Sequence, residues 1–161
     1  MDIREATEAD LDTLRFLAEE AWIPTYRPIL SEEQLQFMFE NWYSNSALSR
    51  QMMDGQCFRI AFQDSAAVGY ASFSIKESGT AHLHKLYIIP GLHGTGLGRK
   101  LLACIEEEAQ GLGAGVLSLN VNRYNPSKGF YDACGYRVIQ EVDLPIGPYW
   151  MNDFVMQKVF G

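Results

Sequence analysis

The chain of 161 residues lacks the features that mark several large classes of protein. No apolar run approaches the roughly 20 residues that a membrane-spanning helix needs, and the acidic start, MDIREATEAD, does not resemble a signal peptide. Basic residues are the minority, 13 against 20 acidic ones, which gives a net charge of −7. A protein that binds nucleic acid regardless of its sequence is therefore not expected. We expect neither nucleic acid nor a membrane as a partner.

Cysteine is also scarce. Cys57, Cys104 and Cys134 lie far apart and are odd in number, so they predict neither a disulfide framework nor a zinc site. A reducing, cytoplasmic setting is expected. Apolar residues make up 47% of the chain and charged residues 20%, as in ordinary globular proteins. Because no linker, repeat or low-complexity tract interrupts the chain, its length predicts one domain over residues 1–161.

The first third of the chain carries helical patterns after a short strand at residues 1–5. A capping box that begins at Thr7 precedes a helix, which Pro24 and Pro28 are expected to end. A second capping box begins at Ser31 and precedes another helix, and a shorter helix is expected over residues 46–53.

The rest of the chain alternates in the way that strands do, with two helices inserted. The predicted strands are residues 56–62, 66–75, 81–89, 116–121, 136–144 and 150–159, and the predicted helices are residues 97–110 and 126–134. The strand–helix–strand unit around the first of these helices requires one parallel pairing. The order predicts the α+β class (α/β/α), with a mixed, mostly antiparallel central sheet.

The most informative stretch is HGTGLGRKLL, which runs from His93 to Leu102 between a strand and a helix. Small residues in such a turn let backbone N–H groups point outward at a helix N-terminus, where the helix dipole favours a phosphate or diphosphate. In the dinucleotide motif G-x-G-x-x-G the third glycine would fall on Arg99 or Leu101, and in the P-loop motif Leu97 stands where lysine is required. Neither a nicotinamide dehydrogenase nor a P-loop nucleotide hydrolase is favoured.

A third pattern fits. His93–Gly98 resembles the [RQ]-x-x-G-x-[GA] acyl-CoA pyrophosphate loop of the GNAT superfamily of N-acetyltransferases, with His93 where that family has Gln or Arg. The preceding LYIIP, residues 86–90, resembles the L-Y-V-x-P strand of the family. NPSKGFYDACGY, residues 125–136, is similar to the family's second signature, N-x-x-x-x-F-Y-x-x-x-G-[FY]. The resemblance covers residues 83–136 and is weaker before residue 56.

This resemblance implies a GNAT-like fold with a β–α–β acyl-CoA-binding unit. It implies that an acetyl group passes from acetyl-CoA to a primary amine by direct attack in a ternary complex, with no metal. The acceptor would be a small-molecule amine or a protein amine, and a homodimer is left open. The alternative is a non-catalytic acyl-CoA sensor or interaction module on the same fold, although the presence of Tyr131 argues against it.

The resemblance also implies which residues hold the cosubstrate. The diphosphate would lie on the loop amides, from His93, Gly94, Thr95, Gly96, Leu97 and Gly98, with Arg99 beside them. Residues 90–131 carry a net charge of +1, which favours a phosphate-rich ligand there. A backbone N–H near a bulge, in Leu86, Tyr87 or Ile88, would hold the thioester carbonyl. Asn125 would either cap a helix or bind the pantetheine arm.

Tyr131 matches the tyrosine that donates a proton to sulfur in the family. A phenol with a pKa of about 10 is protonated near neutrality and can serve an incipient thiolate; packing beneath the short helix is the other interpretation. The attacking amine needs a base, for which His84 is the first candidate, with Glu77 or a water as alternatives. Residues expected near the acceptor are Trp22, Tyr26, His82 and Asn120, with Tyr149 and Trp150 as weaker candidates.

Overall fold

The computed structural model describes residues 1–77 and 79–161 and places strands in one sheet with helices on both of its faces. The helices are α1 (Leu11–Tyr26), α2 (Glu32–Tyr43), α3 (Asn45–Met53), α4 (Leu97–Gly111) and α5 (Ser127–Ala133). The strands are β1 (Asp2–Glu5), β2 (Cys57–Gln63), β3 (Ala66–Ile75), β4 (Thr80–Ile88), β5 (Val116–Asn122), β6 (Arg137–Ile146) and β7 (Tyr149–Val159). Within the described residues, no helix is long and apolar enough to span a membrane.

The strand order is β1-β2-β3-β4-β5-β7-β6. The pairing between β4 and β5, which α4 connects, is parallel, and the other five pairings are antiparallel. The predicted α+β class with a mixed, mostly antiparallel sheet is thus confirmed. The ladder between β4 and β5 covers Thr80–Leu83 against Val116–Leu119 and goes no further along β4. The sheet therefore opens between the two strands over the second half of β4.

Two apolar cores cover the two faces of the sheet. Helices α4 and α5 pack on one face through buried residues such as Leu101, Ile105 and Tyr131. Helices α1, α2 and α3 pack on the other face, around Trp22 and Tyr43. Alternation along a strand sends neighbouring side chains to opposite cores, so β4 and β5 each present one row of residues to α1–α3. That row forms the floor of the site described below.

One expectation about the helices was wrong, and α4 shows two further details. Pro24 does not end α1, which continues to Tyr26; the carbonyl left without a helical partner belongs to the exposed Glu20, so a proline there costs less than in a buried turn. Cys104 is only half-buried on α4. Glu106 and Glu108 do not simply face solvent, because each accepts from a cation on the sheet.

Candidate active site

The glycine turn presents backbone amides that nothing else uses. Gly94 (φ +80°) and Gly96 (φ +88°) adopt the left-handed conformation, in which glycine is favoured, and open space lies where a Cβ would stand. Among the described residues, no acceptor pairs with five backbone N–H groups of this turn and the start of α4: those of Gly94, Gly96, Leu97, Gly98 and Arg99. They form a cluster of unsatisfied donors at the positive end of a 15-residue helix.

Not all of the predicted amide donors are available. The N–H of His93 donates to the carbonyl of Pro90 (3.1 Å), and that of Thr95 donates to the carbonyl of Leu92 (3.4 Å). Both bonds belong to the short 3₁₀ turn that ends β4, so these two residues shape the loop rather than line it. At Gly98, whose N–H is unpaired within the described residues, a Cβ would make ordinary van der Waals contact with Phe130.

His93 ties the loop to the strand before it. Its Nε2 lies 2.8 Å from the carbonyl oxygen of Ile88, and because a carbonyl only accepts, the ring nitrogen is the donor. A glutamine or arginine at this position could donate in the same way. The departure from the family's Gln or Arg therefore keeps the chemistry that the position needs.

Positive charge collects beside these amides. Arg99 and Lys100 are exposed in the first turn of α4 and take part in no ion pair within residues 1–77 and 79–161. Two of the three acids further along α4 are already paired, Glu108 with Arg59 (2.7 Å) and Glu106 with Lys158 (3.2 Å), and the third, Glu107, is exposed. The loop thus offers both donors and unpaired cations to an anion, in a chain whose net charge is −7.

The β-bulge lies at His84, two residues before the segment Leu86–Ile88, whose backbone N–H groups were expected near a bulge. Lys85 pairs with Ser72 and Leu83 pairs with Phe73, which leaves His84 as the extra residue of β4. The register over Leu86–Ile88 is regular. A bulge redirects the side chains that follow it, so His84 and Lys85 both face α1–α3, at the point where β4 and β5 part.

The two histidines of β4 lie on this face as predicted, with their ring centroids 4.9 Å apart. The Nε2 of His84 is 2.7 Å from the hydroxyl of Ser74, and the Nδ1 of His82 is 2.8 Å from that of Ser118. Burial lowers the pKa of His82 to about 4; burial, followed by the neighbouring His82 and Lys85 charges, lowers that of His84 to about 3. Both rings are neutral at pH 7.

Lys85 is a site residue that the sequence analysis missed. Its side chain is buried, and burial lowers its pKa to about 7. The only signal in the sequence is a lysine inside an otherwise apolar strand. Strict alternation would have placed it on the α4 side, because the bulge that turns it is not visible in the sequence.

A cavity of about 410 Å³ lies between these residues and the helices. Its walls include the rings of Trp22, Trp42, Tyr43 and Tyr87, and its polar lining includes His84 and Lys85. Trp22 was predicted near the acceptor and does reach this cavity, although its side chain is otherwise part of the core. Glu77 is exposed in the turn at the opposite end of β4 from the glycine loop and is not among the residues that line this cavity.

The remaining predicted acceptor residues divide into two groups. The hydroxyl of Tyr26 is 3.3 Å from that of Tyr87, and burial raises the pKa of Tyr26. Asn120 is exposed on β5, where it contacts the buried carboxylate of Asp153 (3.4 Å). By contrast, Trp150 is exposed and Tyr149 packs on Phe37 of α2, so these two cover the β6–β7 turn and not the cavity.

Tyr131 is buried on α5 and packs edge-on against Phe130 and Tyr136. The ring is packed, while its hydroxyl has no hydrogen-bond partner within the described residues. Burial, and then the nearby Tyr26, raise the pKa of this phenol, which stays protonated far above neutrality.

Asn125 caps the start of α5, which is one of the two roles predicted for it. Its Oδ1 accepts from the N–H of Ser127 at 2.9 Å, which holds the first turn of α5. The side chain is buried, and its amide also interacts with the hydroxyl of Tyr26, whose pKa is raised by burial and lowered in part by this contact. An amide NH₂ carries two donors, so one remains for a ligand.

The amides at the start of α4 are unused, and an opening in the sheet lies beside them. The site also contains a neutral imidazole and a phenol. Together these features are typical of an acyltransferase of the GNAT type. Comparison with known proteins agrees. The family described as the acetyltransferase (GNAT) domain matches residues 26–144. The chain belongs to this family and is an acetyltransferase.

The relatives extend over the whole chain. A spermidine N(1)-acetyltransferase of Thermoplasma acidophilum is 30% identical over 99% of this chain and 98% of its own length. The crystal structure of the PaiA N-acetyltransferase of T. acidophilum in complex with coenzyme A superposes with a TM-score of 0.84, at 30% identity, over 99% of this chain and 98% of that chain. An uncharacterised N-acetyltransferase of Mycobacterium tuberculosis is 27% identical over 92% of this chain and 97% of its own length.

Proposed function

We propose that the protein transfers an acetyl group from acetyl-CoA to a primary amine of a small molecule. The observation that carries this proposal is the set of five unpaired backbone N–H groups at the start of α4, next to the opening between β4 and β5. A diphosphate is the ligand that such donors suit. The coenzyme A complex of the T. acidophilum structure and the name of the spermidine-acetylating relative support the choice of donor and of acceptor class.

The reaction is an exchange of one bond for another. The amine nitrogen bonds to the thioester carbonyl carbon, the carbon–sulfur bond breaks, the amine loses a proton, and the thiolate gains one. The protein must therefore hold the donor, polarise the carbonyl, and place one proton acceptor and one proton donor. A backbone N–H of Leu86–Ile88, on the open side of β4, is the proposed donor to the carbonyl oxygen.

Tyr131 is the proposed donor to the departing sulfur. Within the described residues its hydroxyl has no hydrogen-bond partner, and its raised pKa keeps it in the protonated form over the whole physiological range. Asn125 would direct a remaining Nδ2 donor at the pantetheine arm while its oxygen caps α5. These roles use groups that are held rigidly by packing, which is what a site formed before the ligand binds requires.

His84 is the proposed acceptor of the amine proton. A lysine-like amine with a pKa of about 10.4 is almost fully protonated at pH 7, so attack needs a group that removes a proton. The ring of His84 is neutral and borders the cavity. Its lowered pKa keeps the ring in the neutral form, which can accept a hydrogen bond from the amine, and the proton leaves to solvent.

We also propose a cytoplasmic setting. Cys57, Cys104 and Cys134 are all free thiols. Free thiols persist in a reducing compartment. Fractionation of the native host cell, with detection of the protein in the soluble cytoplasmic fraction, would test this.

The activity is tested by mixing the purified protein with acetyl-CoA and a panel of primary amines, with thiol release followed spectroscopically and the acetylated product identified by mass spectrometry. We expect thiol release that depends on the amine. The matched control is the His84→Asn/Tyr131→Phe double variant, which should bind coenzyme A and turn over slowly. Binding of coenzyme A by the parent without turnover of any amine would contradict the proposal and favour a sensor.

A further inference from the structure

The bulge at His84 brings a second charged group into the cavity beside the proposed base. Because Lys85 pairs with Ser72 while Leu83 pairs with Phe73, the side chains of His84 and Lys85 lie on the same face of β4. The ammonium of Lys85 reaches α3, where its Nζ donates to the Oε1 of Gln51 at 2.7 Å. The lysine thus crosses the floor of the cavity and does not emerge into solvent.

No negative charge compensates Lys85 in the part of the chain that the structure describes. Its Nζ contacts two neutral amide oxygens, those of Gln51 (2.7 Å) and Gln56 (3.3 Å), and it joins no ion pair. The cavity lining contains no carboxylate. An ammonium has three N–H donors, so one donor remains after both glutamines are served. A buried charge without a counter-ion costs free energy, and a ligand of opposite charge would recover it.

The rest of the cavity suits an apolar body. Four aromatic side chains from α1, α2 and β4 form its walls, and its volume of about 410 Å³ holds a small organic molecule. The faces of Tyr43 and Phe58 already lie 5.8 Å and 5.3 Å from Nζ, so the rings surround the cation on the protein side. The remaining approach to the ammonium is from the cavity.

We propose that the acceptor is an amine that also carries a carboxylate, and that the cavity holds this carboxylate against Lys85 and the apolar body of the molecule against the tryptophans. This inference rests on the proposed N-acetyltransferase function. It names the substrate class that the chain's bulk charge of −7 would not suggest. A polyamine fits this cavity poorly, because its second ammonium would lie beside the lysine and be repelled.

The test compares amines that differ only in the carboxylate. Acetyl transfer is measured for tryptophan and tryptamine and for phenylalanine and phenethylamine, with spermidine as a third arm. The parent should favour the member of each pair that carries the carboxylate by tenfold to a hundredfold in kcat/KM, the range expected of about one charged hydrogen bond. Lys85→Met should abolish this preference through KM. Lys76→Met, which removes an exposed lysine outside the cavity, should preserve it.

Three results would distinguish failure of this inference from failure of the proposed acetyltransferase function. If amines without a carboxylate or spermidine are the better acceptors of the parent, the inference is wrong and the acetyltransferase function stands. If no amine is acetylated, the proposed function fails, and the anion site is then judged by calorimetry with indole-3-acetate, which has no amine. Binding of that probe by the parent and its loss in Lys85→Met support the site; absence of binding to the parent overturns it. If Lys85→Met fails to fold, the preference of the parent and its titration with indole-3-acetate decide.

Discussion

The Nε2 of His93 donates a hydrogen bond to the carbonyl oxygen of Ile88, at 2.8 Å, and so joins the first residue of the glycine turn to the last residue of β4. The bond sets the position of the loop amides relative to the opening in the sheet. We predict that His93→Ala weakens coenzyme A binding about tenfold, because a loop that is no longer held must be ordered on binding. His93→Gln, which keeps a donor, should restore the affinity. Calorimetric titration of both variants checks this, and equal loss in the two would show that the donor is irrelevant.

Gly96 is predicted to be required for ligand binding, and not only for the left-handed backbone conformation of the loop. Gly96→Ala places a methyl group in the space that a diphosphate would occupy, and the residue must hold a φ of +88°. Gly113 is a matched control, since its φ is +94° and its surroundings are equally open, but it lies at the far end of α4. Each substitution should cost about 1–2 kcal/mol of stability.

Coenzyme A binding by these two variants distinguishes backbone strain, which both share, from contact with the diphosphate, which only Gly96→Ala would make. Gly96→Ala should lose most of its affinity, whereas Gly113→Ala should bind like the parent. Urea unfolding and calorimetry on the same samples measure both quantities. Unchanged affinity in Gly96→Ala would mean that the loop does not hold the diphosphate.

Tyr131 and Tyr136 should respond in opposite ways to loss of the hydroxyl. In Tyr131→Phe the packing is kept and a hydroxyl without a protein partner is removed, so kcat should fall about 10²–10⁴-fold with little change in stability. In Tyr136→Phe a hydrogen bond to the carboxylate of Glu106 (2.6 Å) is lost, so stability should fall by about 1–3 kcal/mol with kcat nearly unchanged. Steady-state kinetics and thermal unfolding of both variants test this, and a Tyr131→Phe enzyme with parental kcat would send the proton-donor role elsewhere.

Lys85 should make the stability of the fold depend on pH. The folded-state pKa of this lysine is about 7, against 10.5 for an ordinary lysine, so between these values the unfolded chain binds more protons than the folded one. The free energy of unfolding therefore rises as the pH rises from 7 to 9, by up to about 1.4 kcal/mol per pH unit from this group. Above pH 10 the buried tyrosines oppose the trend, because their raised pKa values keep them protonated only in the folded state.

Urea unfolding at pH 7, 8 and 9 measures this slope. Lys85→Met should be more stable than the parent at pH 7 and should lose the rise toward pH 9. Lys76→Met, at an exposed position, should keep the parental slope. A parental slope in Lys85→Met would show that the buried amine is not the titrating group.

Much of the fold and part of the site were accessible from local patterns in the chain. Residue type and spacing predict the glycine turn before α4, the capping residues Thr7 and Asn125, and the parallel pairing of β4 with β5. Caps and turns depend on a few neighbouring positions, and the parallel pairing follows from the strand–helix–strand order of one continuous segment. The GNAT family was predicted from two such segments and is confirmed by the family match over residues 26–144.

What could not be predicted depends on contacts between distant segments. The bulge at His84 is a register shift between β3 and β4, and strict alternation would place Lys85 on the opposite face. The loss of solvent around Lys85 and the histidines comes from helices that end about 30 or more positions earlier in the chain. Spacing in the sequence places donors along a strand or a turn. Register and burial arise only when strands pair and helices cover them. Register and burial then determine which side chains share the cavity and which of them carry charge.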